Sequence, residues 1–173
     1  NNDVRRKGVN VMKKNFCMFF CLLLILIISG QGESFQSYEA LIAEYPDNYG
    51  AMKNLSQEQE HELLNLAANL FLDFVKKAHW NNYPEEEGYK NTKQAFEKHF
   101  SKPKWKASWS YNGTPHCTLK VIFSGVGKYD GKNAMFNAVF SGRYGISEVQ
   151  FNEATVNGVN ISPGDLLADV YLN

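Results

Sequence analysis

Cysteine is scarce in this sequence, and its distribution limits how the fold can be held together. Of the three cysteines in 173 residues, Cys17 and Cys21 fall in an apolar segment near the N-terminus. Only Cys117 lies beyond that segment, so removal of the segment leaves no pair of cysteines for an internal disulfide. A hydrophobic core must then stabilise the domain without a covalent cross-link.

Motifs of the common catalytic and metal sites are also missing. The chain contains no Gly-x-Ser-x-Gly, no His-Glu-x-x-His and no paired Cys-x-x-Cys. His61 and His79 would lie about 27 Å apart along one helix, which is too far for both to bind one metal. We therefore predict no catalytic residue, no metal site and no cofactor, and we expect that the protein is not an enzyme.

Long apolar runs are limited to one. Residues 16–28 form an unbroken apolar stretch of 13 residues, preceded by two lysines and followed by Ser-Gly-Gln-Gly. A positive start, a short apolar centre and a small-residue end are the three parts of a secretory signal peptide. The stretch is shorter than the ~20 residues that span a bilayer. We predict that residues 1–32 are an N-terminal extension and signal peptide, and that residues 33–173 form a single domain.

The predicted location follows from this segment. A cleaved chain is secreted, periplasmic or displayed on the cell surface, and it meets the membrane only transiently through its signal peptide. The alternative is that the apolar stretch is retained as a single-pass membrane anchor.

Neither sign of charge dominates the chain. It has 18 basic and 18 acidic residues, of which five basic and one acidic residue precede position 33, so the exported part has a net charge of about −4. We therefore expect no nucleic-acid partner. Residues 89–132 nevertheless hold nine bases and two acids. This basic middle either faces the acidic helical region or forms, through residues 90–106, a docking patch for an anionic wall or membrane polymer.

A long central helix is predicted over residues 56–78, the most apolar part of the exported chain. Ser56 followed by Gln59 is a capping-box pattern, in which each side chain accepts a hydrogen bond from the other residue's backbone N–H. No Gly or Pro interrupts the segment. The apolar residues cover most of the helix circumference, so the helix needs cover on more than one side.

The polar residues of this helix form one narrow stripe, because Asn65, Asn69 and Asp73 fall four positions apart. Leu70 and Phe74 belong to the apolar surface beside the stripe. If both are well packed, replacing either with Ala should cost ~2–5 kcal/mol.

Three shorter helices complete the predicted helical part. They cover residues 35–45 and 89–100 and a final segment opened by Ser162-Pro163, in which Ser is the cap and Pro takes the first helical position. The final helix follows the strands described below. The last of these predicted strands, the fourth, covers about 146–156, and an Asn-Gly turn leads from it into a short segment at 159–161.

From Lys104 onward the apolar period changes to two, which is typical of antiparallel strands with one buried face. Asp130-Gly131 marks a hairpin turn and fixes the register of the strands on either side. The partners predicted across it are Phe123–Ala138, Val121–Phe140, Gly125–Phe136, Ser124–Asn137 and Lys128–Asn133. Small residues opposite large ones leave room for a helix on the apolar face.

The preceding hairpin is predicted from its buried face. A three-residue loop at 112–114 pairs Trp109 with Cys117 and Trp105 with Val121, which keeps all four on the apolar face. Cys117 is then buried, and its neighbour in the chain, His116, faces solvent or a surface groove.

Two groups of residues are candidate ligand-binding sites. The stripe of Asn65, Asn69 and Asp73 either faces solvent or lines a pocket between the helix and a curved sheet, in which case Asp73 would be the plausible general base of an enzyme. The loop that follows the helix mixes aromatic and amide side chains, so Trp80 and Tyr83 could stack on sugars or peptides. Alternatively, these two rings close the end of the core.

The order of elements, helices followed by a meander of strands, resembles the cystatin-like and NTF2-like α+β folds. The run from Trp105 through Val121-Ile122-Phe123-Ser124-Gly125 to Val156-Asn157-Gly158-Val159 and Leu166-Leu167…Tyr171 is also similar to small exported bacterial domains of unassigned function. The resemblance covers about residues 90–173 and implies a cone-shaped sheet wrapped on a helix. It carries over no catalytic residue. No strand separates the second and third helices, unlike in many NTF2-like proteins.

The predicted fold is α+β, with N-terminal helices packed on one face of a four-stranded antiparallel meander and a short C-terminal helix. The predicted function is an exported, non-catalytic binding or interaction module for a protein, peptide or glycan. Two alternatives stay open: a small NTF2-like enzyme with a polar pocket, and a surface protein that docks on anionic polymers. A carboxylate or histidine enclosed in a cavity would favour the enzyme, and lysines aligned on one face would favour docking.

Overall fold

A computed structural model of the chain describes residues 35–45, 55–80, 91–111 and 117–172. Within these residues, four helices and five strands follow one another in the order helix, helix, helix, five strands, helix. The helices are α1 (Tyr38–Glu44), α2 (Gln57–Lys77), α3 (Thr92–His99) and α4 (Pro163–Leu172). The strands are β1 (Ser101–Tyr111), β2 (Cys117–Tyr129), β3 (Lys132–Arg143), β4 (Gln150–Val156) and β5 (Val159–Ile161).

The central helix α2 begins and ends where its sequence predicts. The Ser56 hydroxyl accepts from the Gln59 backbone N–H at 3.2 Å, and the Gln59 side chain accepts from the Ser56 N–H at 2.9 Å. This reciprocal pair satisfies two of the backbone donors that have no partner within the first turn, so the predicted capping box is confirmed.

The five strands form one antiparallel meander in which each strand pairs with the next along the chain. The predicted hairpin turns are confirmed: Asp130 and Gly131 have φ of 50° and 74°, and Asn157 and Gly158 have φ of 50° and 82°. Two successive positive φ values give a two-residue turn whose twist matches that of the flanking strands. All of the predicted β2–β3 partners, including Phe123–Ala138, are confirmed.

The predicted register of the first hairpin is wrong by two residues. Trp109 lies opposite Leu119, and Trp105 lies opposite Phe123. The strands close only at the pair Tyr111–Cys117, so five residues rather than three connect them. Because the change is by an even number, both tryptophans still face the same side as Cys117.

The sheet has one strand more than the four that were predicted. β4 begins at Gln150 rather than near 146, and residues 159–161 pair with it as the short edge strand β5. The final helix α4 begins at Pro163, and the Ser162 hydroxyl accepts from the Asp165 N–H at 3.3 Å. The α+β class and the antiparallel meander are therefore confirmed, with a corrected strand count.

All four described helices lie on one face of the sheet, which we call the inner face. α2 contacts β1 and β2, α3 contacts α2 and β1, α4 contacts β4 and α3, and α1 contacts α2. The inner face is apolar along every long strand: alternate residues of β2 from Cys117 to Gly125 are buried, and so are alternate residues of β3 from Ala134 to Gly142. The opposite, outer face is not covered by any described helix.

Aromatic rings fill the space between helices and sheet. The Phe96 ring of α3 lies 4.9 Å from that of Phe123 and 5.6 Å from that of Phe140, measured between centroids. Six side chains of α2 are buried, namely those of Leu63, Leu64, Ala67, Ala68, Phe71 and Val75. Leu70 and Phe74 are only half-buried. The core side of α2 is therefore centred on Phe71 rather than on the two residues chosen from the sequence.

Among the described helices, none has the length and apolar character that crossing a bilayer requires. Residues 1–34, which include the predicted signal peptide, lie outside the described part of the chain. Export therefore stays a prediction.

Candidate functional site

The first predicted site, the polar stripe of α2, lies on the exposed surface of the helix. Asn65, Asn69 and Asp73 are all exposed, so the solvent-facing alternative agrees with their positions. Asp73 borders a groove of about 200 Å³ between α1 and α2, which it lines together with Glu39, Lys77 and six other residues of 36–39 and 70–78.

Asn65 has a structural contact that the sequence did not indicate. Its Oδ1 accepts from the Trp109 indole N–H at 2.8 Å, and the His61 ring lies 5.1 Å from the Trp109 ring. The Tyr111 hydroxyl donates a hydrogen bond to the Glu60 carboxylate. Partial burial, together with this carboxylate, raises the pKa of Tyr111 above its ordinary value. These contacts fasten the first half of α2 to β1.

Trp80 is half-buried and packs against the core. Its indole N–H donates to the Thr92 hydroxyl at 3.2 Å, and its ring lies 6.1 Å from Phe140 and 6.3 Å from Phe151. Thr92 in turn donates to the Ala78 carbonyl at 2.9 Å, so the group ties the end of α2 to the start of α3. This placement agrees with a ring that closes the end of the core. Tyr83 and His116 lie outside the described residues.

A different surface, on the outer face of the sheet, brings basic side chains together. Four of them occupy four successive rows of the sheet, one in each row, and step diagonally from β1 across β2 to β3. Each row is named by one pair of residues that lie opposite each other. The first three rows pair β1 with β2 and are Lys104–Ser124, Lys106–Ile122 and Ser108–Lys120, and the fourth pairs β2 with β3 and is Thr118–Arg143. We call Lys104, Lys106, Lys120 and Arg143 the basic diagonal.

The spacing along the basic diagonal follows from sheet geometry. Residues two apart in a strand are separated by about 7 Å, and diagonal neighbours on adjacent strands by about 7–8 Å. Lys104, Lys106 and Arg143 are exposed and Lys120 is half-buried. The diagonal therefore presents a charge roughly every 7–8 Å over four positions.

Few acidic groups offset this charge on the outer face. Glu153 of β4, opposite Val139, is the described carboxylate placed on that face of the strands, and two strands separate it from Lys106 on β1. The carboxylates of Glu97 and Asp169 lie instead on the helical side, where Glu97 pairs with Lys93 at 3.6 Å and Asp169 contacts the His99 Nε2 at 3.2 Å. Within the described residues, no carboxylate forms an ion pair with Lys104, Lys106 or Lys120.

Neutral polar groups border the basic diagonal on the same face. The Ser124 hydroxyl bonds the Asn137 Oδ1 at 2.7 Å, and the Asn137 amide donates to the Thr155 hydroxyl at 3.3 Å. These residues lie in the row of Lys104, so that row continues from a cation into hydroxyl and amide groups. Such groups hydrogen-bond readily to the oxygens of a bound polymer.

The run at 90–106 that suggested docking is divided by the fold. Lys93 and Lys98 lie on α3, on the helical side of the sheet, whereas Lys104 and Lys106 lie on the outer face. On the outer face, Lys104 and Lys106 are joined by Lys120 from β2 and Arg143 from β3, and not by Lys93 and Lys98. Sequence reasoning missed this grouping, although strand alternation combined with the correct register would have found it.

Cys117, the candidate buried thiol, lies on the inner face and is fully buried. Burial raises the pKa of Cys117 to about 11. The thiol therefore stays protonated at neutral pH, and only a thiolate is an effective nucleophile. This environment suits a structural cysteine.

We expect native Cys117 to resist labelling. At pH 8 a thiol reagent such as 5,5′-dithiobis(2-nitrobenzoate) should modify it far more slowly in the folded chain 33–173 than in denaturant. Asn69→Cys adds an exposed thiol on α2 as the control and should react at once. Equal native rates for the two thiols would contradict the burial of Cys117.

Within the described residues, no group of three or more His, Cys, Asp or Glu side chains is placed to hold a metal ion. Comparisons with known proteins add no assignment, since no family model, no curated protein and no solved structure matches this chain. The likeness to cystatin-like and NTF2-like folds therefore stays a prediction.

Proposed function

We propose that this protein is an exported, non-catalytic binding module that holds a linear anionic polymer against the outer face of its sheet. The observation that carries the proposal is the basic diagonal, with one cation in each of four successive rows. The likeness to the cystatin-like and NTF2-like folds is part of the proposal and is supported by the order of helices followed by a meander. The sheet then acts as a rigid support that fixes the spacing of the charges.

The spacing favours a linear polymer over a compact ligand. Cations about 7–8 Å apart in a line can each meet a different anionic group of one chain. Three of the four are lysines, which act as point charges and do not require the planar bidentate geometry that arginine provides. We therefore expect binding that depends on charge density and ionic strength more than on the identity of the repeating unit.

Each exposed contact contributes little alone. A solvent-exposed ion pair is worth about 0.2–1 kcal/mol and is screened by salt. Several contacts to one chain add up, and hydrogen bonds from the hydroxyl and amide row would supplement them. Binding should therefore weaken steeply between low and physiological salt.

The proposal is tested by reversing charges on one face at a time. Lys104→Glu/Lys106→Glu/Lys120→Glu should reduce the affinity for a long-chain polyphosphate about 100-fold at low salt, since three contacts of about 1 kcal/mol are lost. The control Lys77→Glu/Lys93→Glu/Lys98→Glu makes the same change in net charge on the helices. It should retain most of the affinity.

Calorimetric or fluorescence titration of both variants gives the answer. Equal losses in the two would mean that net charge alone governs binding, and the proposal would fail. Tight binding to vesicles of anionic lipid, without binding to polyphosphate or dextran sulfate, would replace the polymer with a membrane surface.

A further inference from the structure

Strand β1 has a long edge with no strand beside it in the described part of the chain, since the sheet order runs from β1 to β5. Its first residues carry features that discourage pairing: Lys102 has φ of 53°, Pro103 lacks an N–H, and the register shifts between Ser101 and Lys104. From Trp105 to Tyr111, however, all seven residues pair regularly with β2. This second part of the edge is long and regular enough to accept another strand.

The direction of the backbone groups along this edge can be worked out. The Cys117 carbonyl accepts from the Tyr144 N–H at 3.0 Å, so the backbone groups of Cys117 point toward β3. In an antiparallel ladder the direction alternates with each residue. In β1, Lys106 and Ser108 therefore bond to β2, while Trp105, Ala107 and Trp109 direct their backbone N–H and C=O groups toward the open edge.

We propose that β1 pairs with β1 of a second copy of this chain, antiparallel and with Ser108 on the two-fold axis. The segment 105–111 is symmetric about that residue, so this register uses its whole length. It places Ala107 opposite Trp109 and Trp105 opposite Tyr111, on the inner face. On the outer face, Ser108 meets Ser108 of the second copy.

This register also avoids repulsion between like charges. Lys106 lies opposite Ser110 of the second copy, whereas a two-fold axis at Lys106 would place two lysines face to face, which destabilises paired strands. The two pairs of Ala107 with Trp109 are hydrogen-bonded pairs, each exchanging two N–H···O=C bonds. The backbone pattern is therefore compatible with this axis, and the side-chain pairs together with the symmetry of 105–111 favour it over an axis at Lys106.

The helices allow the two sheets to join. Asn65 in the first half of α2 contacts Trp109, and Lys76 at its end lies 5.9 Å from the Trp105 ring, so α2 runs antiparallel along β1. α2 contacts both β1 and β2, and we take its axis to lie above the midline between these two strands. With strands about 4.8 Å apart, the α2 helices of the two copies would lie about 9–10 Å apart, which is an ordinary helix-packing distance.

The pairing goes beyond polymer binding and does not rest on it. It would join two outer faces into one sheet surface with two basic diagonals, related by the same axis. Because the pairing can be measured without any ligand, its failure and the failure of the proposed function are separate results.

The test is a disulfide across the axis, in the full chain with Cys17 and Cys21 changed to Ser. In Ser108→Cys, the two Cα atoms would form a pair without backbone hydrogen bonds, about 4.5 Å apart, which lies within the range that a disulfide spans. In the control Ser110→Cys, the matching Cα atoms would be about 14 Å apart. Mild oxidation should convert most of Ser108→Cys to a covalent dimer and leave Ser110→Cys monomeric on a non-reducing gel.

A second measurement uses the chain without added cysteines. Light scattering should give the mass of a dimer, and Ala107→Pro, which removes an edge-directed N–H, should give the mass of a monomer with unchanged circular dichroism. Equal cross-linking of the two cysteine variants, cross-linking of neither, or a monomeric unmodified chain at tens of micromolar would overturn the proposal.

Discussion

Phe71→Ala should lower the free energy of unfolding by about 3–5 kcal/mol, the range for removing a large aromatic side chain from a packed core. Phe71 is fully buried in the second half of α2, and its ring lies 5.3 Å from the ring of Tyr38 in an edge-on arrangement. The same ring lies against β3 at Gly142. Truncation therefore opens a cavity shared by α1, α2 and the sheet. A domain has only about 5–15 kcal/mol of stability, so the melting temperature should fall clearly.

The matched control is Phe74→Ala. It removes the same atoms at a half-buried position about one helical turn after Phe71. It should cost less, because part of that ring already contacts water. Denaturant titration of both variants gives the comparison. Equal losses, or a larger loss at Phe74, would mean that the helix is rotated about its axis from the orientation described.

Gly142→Ala should also destabilise the fold, by about 1–3 kcal/mol, through overpacking. A Cβ at this position would lie 2.6 Å from the Phe71 Cζ and 2.8 Å from the carbonyl oxygen of Glu148. Rotation of the Phe71 ring can relieve the first contact but not the second, because the second involves backbone. The absence of a side chain at Gly142 is therefore what lets the Phe71 ring of α2 pack against β3.

Gly164→Ala is the control for the general effect of adding a methyl group. The nearest atom to a Cβ there is the Ser162 hydroxyl at 3.7 Å, an ordinary contact, and Gly164 lies in α4. Ala is favoured over Gly within a helix, so this variant should be unchanged or slightly more stable. In a Phe71→Ala background, Gly142→Ala should cost less than it does alone, because the ring it meets is gone. Additive losses would contradict the contact.

Local signals in the sequence predicted the parts of the fold that depend on neighbouring residues. The capping box at Ser56 and the turns at Asp130-Gly131 and Asn157-Gly158 each involve residues within four positions of one another. Because a two-residue turn fixes the register of its hairpin, the β2–β3 partners were correct as well.

The first hairpin shows where local signals fail. Alternation identifies the buried face of β1 but leaves registers that differ by two residues equally acceptable, since both keep Trp105 and Trp109 inside. The Asn-Gly pair at 112–113 suggested a short loop, whereas the strands close five residues apart. Packing of β1 against α2 selects between such registers. The sequence of β1 alone carries no information about this packing.

The same error concealed the basic diagonal. With the predicted register, Lys106 lies opposite Lys120, which reads as an unfavourable like-charge pair; in the structure Lys106 lies opposite Ile122. The polar stripe on α2 was easier to place, because helix periodicity puts its residues on one exposed side. The hydrogen bond from Trp109 to Asn65 was missed, because it joins residues 44 positions apart. Contacts between distant segments of this kind follow from the tertiary fold and could not be read from periodicity.

The measurement that tests the central claim most directly is an NMR titration of the isotope-labelled protein with a long-chain polyphosphate, read residue by residue. We expect that the amide signals of Lys104, Lys106, Lys120 and Arg143 shift together as polymer is added. The signals of Lys77 and Lys98 on the helices should stay in place, and added salt should reverse the shifts. Shifts centred on the helices, or no shifts at low salt, would contradict the assignment of the outer face as the binding surface.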